Sequence, residues 1–229
     1  MGKVPQISSQ DLLRILGTFP QHILQDDSNR AFCLSLAVIN QCFDREWVDQ
    51  HVSPETPKPG FLRVVAGHDR ETQRSTFRIV DFAELLLNLA HIDGVDRCLE
   101  DLRRGNMEST CAELDFGRML YLGGVTTFRY VPPQAGENQI TIKFPDGVTV
   151  CADAKCKIEA TDFSEKTVEN TLHDARDQFP KDQPSALFVK VPSRWTNEVG
   201  TALELLEIGR RFLAADQTNC VCQVLCSAH

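Results

Sequence analysis

Apolar residues recur at three- and four-residue intervals through the first half of the chain and at alternate positions through much of the second. The segments DLLRIL, from Asp11, and NRAFCLSLAVINQCF, from Asn29, carry the helical spacing; Ser8 or Ser9 is placed to cap the first and Asp27 or Ser28 the second. Residues 53–60, SPETPKPG, hold three prolines and end in glycine, which makes a loop. Beyond it FLRVVAG reads as a short strand and HDRETQRS as a polar exposed segment. Three helices follow from Phe77. FRIVDFAELLLNLAHI aligns Ile79, Phe82, Ala83, Leu86 and Ala90 on one stripe, and VDRCLEDLRRG closes at Gly105. MESTCAELDFGRMLYLGG is capped by Asn106 and stopped at Gly123 and Gly124.

The period then changes from helix to strand. TTFRYV, NQITIKF and GVTVCADAKCKIEA are rich in Thr, Val, Ile and Phe, with PPQAG and PDG turns between them. SEKTVENTLHDARDQF is an amphipathic helix with Val168, Leu172, Ala175 and Phe179 as its core stripe. ALFVKV predicts a strand, EVGTALELLEIGRRFLA a helix and CVCQVLC a last strand. The expected class is α/β (α+β): a mixed central sheet flanked by helices in residues 106–229, preceded by a mostly helical subdomain in residues 1–105. That subdomain is expected to pack on the sheet domain, because FRIVDFAELLLNLAHI has too wide an apolar face for one partner helix.

Composition narrows the picture. With 229 residues, 42% hydrophobic and 24% charged, the chain is ordinary globular material, which excludes disorder and collagen-like repeats as the main state. Its formal charge of −8 means that any nucleic-acid surface must be a local basic groove on an acidic body. The nine cysteines are odd in number and sit mostly within apolar patterns, and MGKVPQISSQ lacks the apolar core of a secretory leader. Reduced thiols and a cytoplasmic location are expected. No apolar run reaches the roughly 18 residues of a membrane span. Cys220, Cys222, Cys226 and His229 have metal-ligand side chains, but these cysteines alternate along an apparent core strand without a second CxxC, so zinc is not indicated. There is no P-loop, GxGxxG or HExxH.

The segment VCADAKCK is the most informative. Alternation puts Cys151, Asp153, Lys155 and Lys157 on one face of a strand and Val150, Ala152 and Ala154 on the other. Charges on a strand that otherwise belongs to a core must pair with each other or hold a metal. A plain surface Asp–Lys pair is the simpler alternative.

A helix with a Glu (CAELDFGRMLYLGG), a hairpin with an FPDG turn, a strand with DAKCK and the helix TLHDARDQFP, followed by PSALFVKVPSRW, together resemble the PD-(D/E)XK nuclease superfamily, the restriction-endonuclease-like fold. Within it they are similar to an uncharacterised bacterial family. The resemblance spans about half the chain and implies hydrolysis of nucleic-acid phosphodiesters with Mg²⁺ or Mn²⁺, hard cations held by carboxylates and carbonyls. It implies Asp153 and the Ala154 carbonyl as ligands and Lys155 beside the attacking water. Glu113 would be a further ligand or would hold a metal-bound water, with Asp115 as its rival. Relatives carry another acid on the preceding strand. Here Glu137 precedes that strand, Asn138 and Gln139 start it and Asp146 sits in the turn, so Glu137 or Asp146 takes the role or the acid is lost. Gln178 would support the site or touch substrate. Lys157, with Lys166, Arg176, Lys190 and Arg194, would contact phosphates, while Trp195 is expected to pack. The implied partner is nucleic acid, DNA before RNA, with a homodimer admissible and no membrane. The alternative is a catalytically inactive module on the same fold, whose helical N-terminal region binds a protein.

Overall fold

A computed structural model describes residues 7–53, 61–62, 69–131, 140–157, 161–181, 183–215 and 221–228. By contacts the chain divides into two compact units. One takes residues up to 91 together with 99–107, and the other takes 92–98 and everything from 108 onward.

The first unit is helical. It holds α1 (Ser9–Leu16), α2 (Gln21–Leu24), α3 (Asp27–Cys42), α4 (Arg45–His51), α5 (Asp69–Leu89) and the end of α6 (Val95–Arg103). Ser8 caps α1 in a reciprocal capping box with Asp11. The cap of α3 is Asp26, one residue ahead of the expected Asp27 or Ser28: three consecutive residues have capping side chains, and Asp26 is the one whose carboxylate accepts the Asn29 N–H at 2.8 Å. HDRETQRS is no separate segment, since α5 already starts at Asp69. Polar residues there form the first turns of the helix, which carry little of its apolar stripe. Phe61 and Leu62 of FLRVVAG lie in a turn, and the rest of that expected strand falls outside the described residues.

Phe43 and Trp47 stack with ring centroids 3.9 Å apart, and the Trp47 indole donates to the Leu102 carbonyl at 3.1 Å. Arg103 donates to the Cys42 carbonyl at 2.9 Å. Burial pushes the Cys42 thiol up to about 11, against the opposing pull of Arg103, so it is a protonated apolar filler at neutral pH. Cys33 and Cys42 form no disulfide.

The second unit carries a mixed sheet of β1 (Phe128–Tyr130), β2 (Ile140–Lys143), β3 (Thr149–Cys156), β4 (Ser185–Val191) and β5 (Val221–Ala228), in that spatial order. β1, β2 and β3 are antiparallel neighbours, whereas β3, β4 and β5 run parallel. Helix α7 (Met107–Leu122) precedes the sheet, α8 (Glu165–Arg176) links β3 to β4, and α9 (Ser193–Asn197) and α10 (Val199–Ala215) link β4 to β5. The expected element order from Asn106 therefore holds, with one short helix, α9, added after Pro192. Gly147 closes the β2–β3 turn at φ +88°, where a Cβ would be strained, and Asp146 beside it accepts the Val148 N–H at 3.0 Å.

Register fixes what each face of the sheet carries. Phe188 stacks on Phe116 of α7 with centroids 5.3 Å apart, so β4 residues of its parity look towards α7. Leu187, Val189 and Val191 instead join Cys151 in a core cluster with Val168 and Leu172 of α8 and Leu205, Ile208 and Phe212 of α10. One face is thus covered by α7 and the other by α8 and α10. Trp195 packs as expected, 2% exposed, edge-on to Phe163 and donating to the Thr161 carbonyl. Among the described residues no helix is long and apolar enough to cross a membrane.

Candidate functional site

Asp153 and Lys155 share parity with Cys151 and pair in register with Leu187 and Val189, which puts them on the α8 face of β3. Asp153 is 2% exposed. Its Oδ1 accepts the Ala154 N–H at 2.9 Å, and its Oδ2 lies 2.6 Å from the Lys155 ammonium. Lys155 also donates to Gln178 Oε1 at 2.7 Å, just beyond the end of α8. Three residues singled out in the sequence are therefore joined in one chain of charge-assisted contacts. Lys155 keeps about a quarter of its side chain in solvent (24%), so the cluster opens at the lysine and is closed at the aspartate.

Glu113 and Asp115 belong to α7, which covers the opposite face. Both are buried, at 3% and 4%. The Arg97 guanidinium, from α6, holds Glu113. Asp115 takes Lys190 on Oδ2 at 2.8 Å and Arg118 on Oδ1. Lys190 is itself 4% exposed and points to α7 beside Phe188, so it is a core counterion and not a phosphate contact at the surface. Each buried carboxylate meets a basic side chain, as charge in a low-dielectric interior requires.

The expected trio of Glu113, Asp153 and Lys155 is thus divided by the sheet: Asp153 and Lys155 leave one face, and Glu113 lies beneath the other. Asp146 sits in the β2–β3 turn, at the end of β3 remote from Lys155. Glu137 lies outside the described residues. Lys157 shares the Asp153 face and lines a small apolar gap with Val168, Leu172, Trp195 and Leu205. A hard divalent cation wants two or three carboxylate or carbonyl oxygens around it. Among the described residues no three His, Cys, Asp or Glu side chains gather to hold a metal. Asp153, adjoining the Ala154 carbonyl, is one donor, so the described set does not fit a complete metal centre.

Arg97, Lys190 and Tyr130 carry no motif and were not assigned to the buried charges from sequence. For Lys190 the signal is present, because a lone base inside ALFVKV is a charge in a core strand and demands a buried acid, whereas Arg97 stands among Asp96, Glu100 and Asp101 in VDRCLEDL and carries no such mark. Tyr130 packs so closely on α7 that a Cβ on Gly117 would sit 1.9 Å from its hydroxyl oxygen. That buried hydroxyl has no hydrogen-bond partner among the described residues. Burial, followed by the neighbouring Cys98 and Glu113, pushes the phenol well above its usual range and keeps it neutral. Tyr130→Phe is expected to raise stability by about 1 kcal/mol, since it removes an unsatisfied buried polar atom and leaves the ring in place. Thermal unfolding checks this, and a lower melting temperature would refute it.

Compared with known proteins, the chain matches no family model, no curated protein and no solved structure.

Proposed function

We propose that residues 106–229 form a PD-(D/E)XK-like nuclease domain that hydrolyses nucleic-acid phosphodiesters in the presence of Mg²⁺ or Mn²⁺. One observation carries the reading. The order α7, three antiparallel strands, α8 and a parallel fourth strand puts the acid-x-Lys pair on the third strand, with Lys155 tied to Gln178. In this reading the partly exposed Lys155 ammonium faces the scissile group and stabilises negative charge growing on a phosphoryl oxygen. Gln178 fixes the rotamer of that lysine, and Asp153 supplies a hard oxygen. Of the remaining acids, Glu137 is the one the reading still needs, because Glu113 is committed to Arg97 on the other face.

That commitment of Glu113 favours a second reading, a nuclease-fold module that binds without cleaving. Calorimetric titration of the full chain with Mg²⁺ and with Mn²⁺, alongside cleavage of labelled DNA and RNA in single- and double-stranded form, separates the two. Binding heat that vanishes in Asp153→Ala, together with cleavage by the unmodified chain, is the expected result. Equal heats in both proteins and intact substrates would leave the module.

A further inference from the structure

We propose that the outer edge of β5, together with an apolar stripe on α10, docks a second copy of this chain across a two-fold axis, so that the sheet continues from β5 into the β5 of the copy. The proposal concerns the second unit alone and does not rest on the nuclease reading. The two ends of the sheet are built differently. β1 is three residues long with Arg129 at its centre, and a short strand bearing a charge is protected against further pairing. β5 runs for eight residues, VCQVLCSA, without a charge, a proline or a glycine. Among the described residues it pairs on one side only, with β4, and after the register shift at Ser185/Ala186 that ladder is regular from Gln223 to Ala228. Alternate residues of β5 therefore turn their N–H and C=O groups away from β4, where a further strand can take them.

The helix beside this edge is also left uncovered. α8 packs on β3 and α10 on β5, while Leu205 and Ile208 join Leu187 and Val189 of β4, so α10 lies over the β4–β5 boundary. The side of α10 turned from that core carries Val199, Leu203 and Leu206, 76%, 61% and 70% exposed, at the i, i+4, i+7 spacing of one stripe. Because the core includes Val168 and Leu172 of α8, a stripe facing away from it looks away from α8 and out past the sheet edge.

One symmetry operation covers both features. A two-fold axis normal to the sheet beside β5 sets β5 antiparallel to its copy, and α10 antiparallel to its copy on the same face. Strands lie about 4.8 Å apart, which puts the axis about 2.4 Å from β5 and about 5 Å from a helix over the β4–β5 boundary. The two α10 helices then stand about 10 Å apart, the spacing of packed helices. A foreign strand would cover the edge and leave the stripe bare, whereas a second copy brings a strand and a stripe together. Charge agrees with the antiparallel sense. Glu198 precedes α10, and Arg210 and Arg211 lie near its end, so apposing Leu203 with Leu206 of the copy brings the acidic end of each helix to the basic end of the other.

Sedimentation velocity of the full chain under reducing conditions, across a concentration series, tests this together with hydrogen exchange at residues 221–228. A dimer of twice the 25.7 kDa chain mass is expected, with exchange in that segment rising as dilution dissociates it. Leu203→Glu/Leu206→Glu should raise the dimer dissociation constant by about 100-fold or more and speed exchange in the same segment. Leu122→Glu/Val148→Glu, at exposed apolar positions on other elements, should leave the dimer intact. All four positions are exposed in the single chain, and melting temperatures verify that both variants fold. A monomer at every concentration overturns the proposal. So does a dimer that survives Leu203→Glu/Leu206→Glu, a control variant that weakens it as much, or exchange at 221–228 that stays constant while the dimer dissociates.

Discussion

Replacing Lys190 with Met is expected to cost about 3–5 kcal/mol of stability, because it strands the buried Asp115 carboxylate. For a chain of this size each kcal/mol moves the melting temperature by about 2–4 °C, so the loss is roughly 6–20 °C. Arg118 still holds Asp115 Oδ1, which places the effect towards the lower end of that range. The same reasoning makes the double variant Asp115→Leu/Lys190→Met more stable than either single variant, since the two most buried charges leave together and only Arg118, with about a fifth of its side chain (21%) in solvent, loses a carboxylate. A double-mutant cycle by chemical denaturation measures the coupling. Single variants whose losses simply add, with no recovery in the double, would show that the pair 2.8 Å apart is not a coupled unit.

The second large effect is an asymmetry between Asp153 and Lys155. Lys155→Met leaves a carboxylate with only 3% of its side chain exposed facing an apolar neighbour, a loss of about 3–5 kcal/mol. Asp153→Asn leaves a lysine that is already partly in solvent and still bonded to Gln178, so its cost is about 1 kcal/mol or less. Activity should rank the two differently from stability. If the domain cleaves phosphodiesters, Lys155→Met loses about 10²–10³-fold in rate through the missing charge stabilisation, with substrate affinity largely kept. Asp153→Asn should weaken Mg²⁺ affinity as well as rate, because it replaces an anionic hard donor. Denaturation curves together with single-turnover rates test both halves. Equal stability losses in the two variants would contradict the burial difference on which the argument turns.

These pairs also show what the sequence could tell and what it could not. Alternation in VCADAKCK is enough to put Asp153 and Lys155 on one face, whereas Glu113 is singled out by the family resemblance and not by the spacing of its helix. Alternation is a local property of one element. Which face α7 covers is not local: it follows from how β3, β4 and α7 come together, and that separates Glu113 from Asp153. The Lys155–Gln178 contact joins a strand to the far end of the next helix, 23 residues on, and was reachable only through the family resemblance. α9 escaped because five residues after a proline carry too little periodicity to register. The start of α5 escapes because HDRETQRS has no apolar residue to set a helical period. Lys190 is a core residue because its neighbours in ALFVKV are all apolar, and that environment outweighs its charge.

The alternation of β3 has a further consequence for chain length. Substitutions along this strand change one side chain at a time, whereas an insertion or deletion of one residue between Thr149 and Ala152 reverses the facing of everything after it. Re-pairing with β4 in the old frame would turn Asp153 and Lys155 under α7, beside Lys190 and Phe188, and would send Ala152 and Ala154 outward to α8. Two further ionic groups would then enter a compartment where Asp115 is already matched by Lys190 and Arg118, and Gln178 would face a methyl group. This strand can therefore drift in composition but is locked in length, and any natural change in length should be confined to the Phe144–Val148 turn, where added residues leave the ladder in phase.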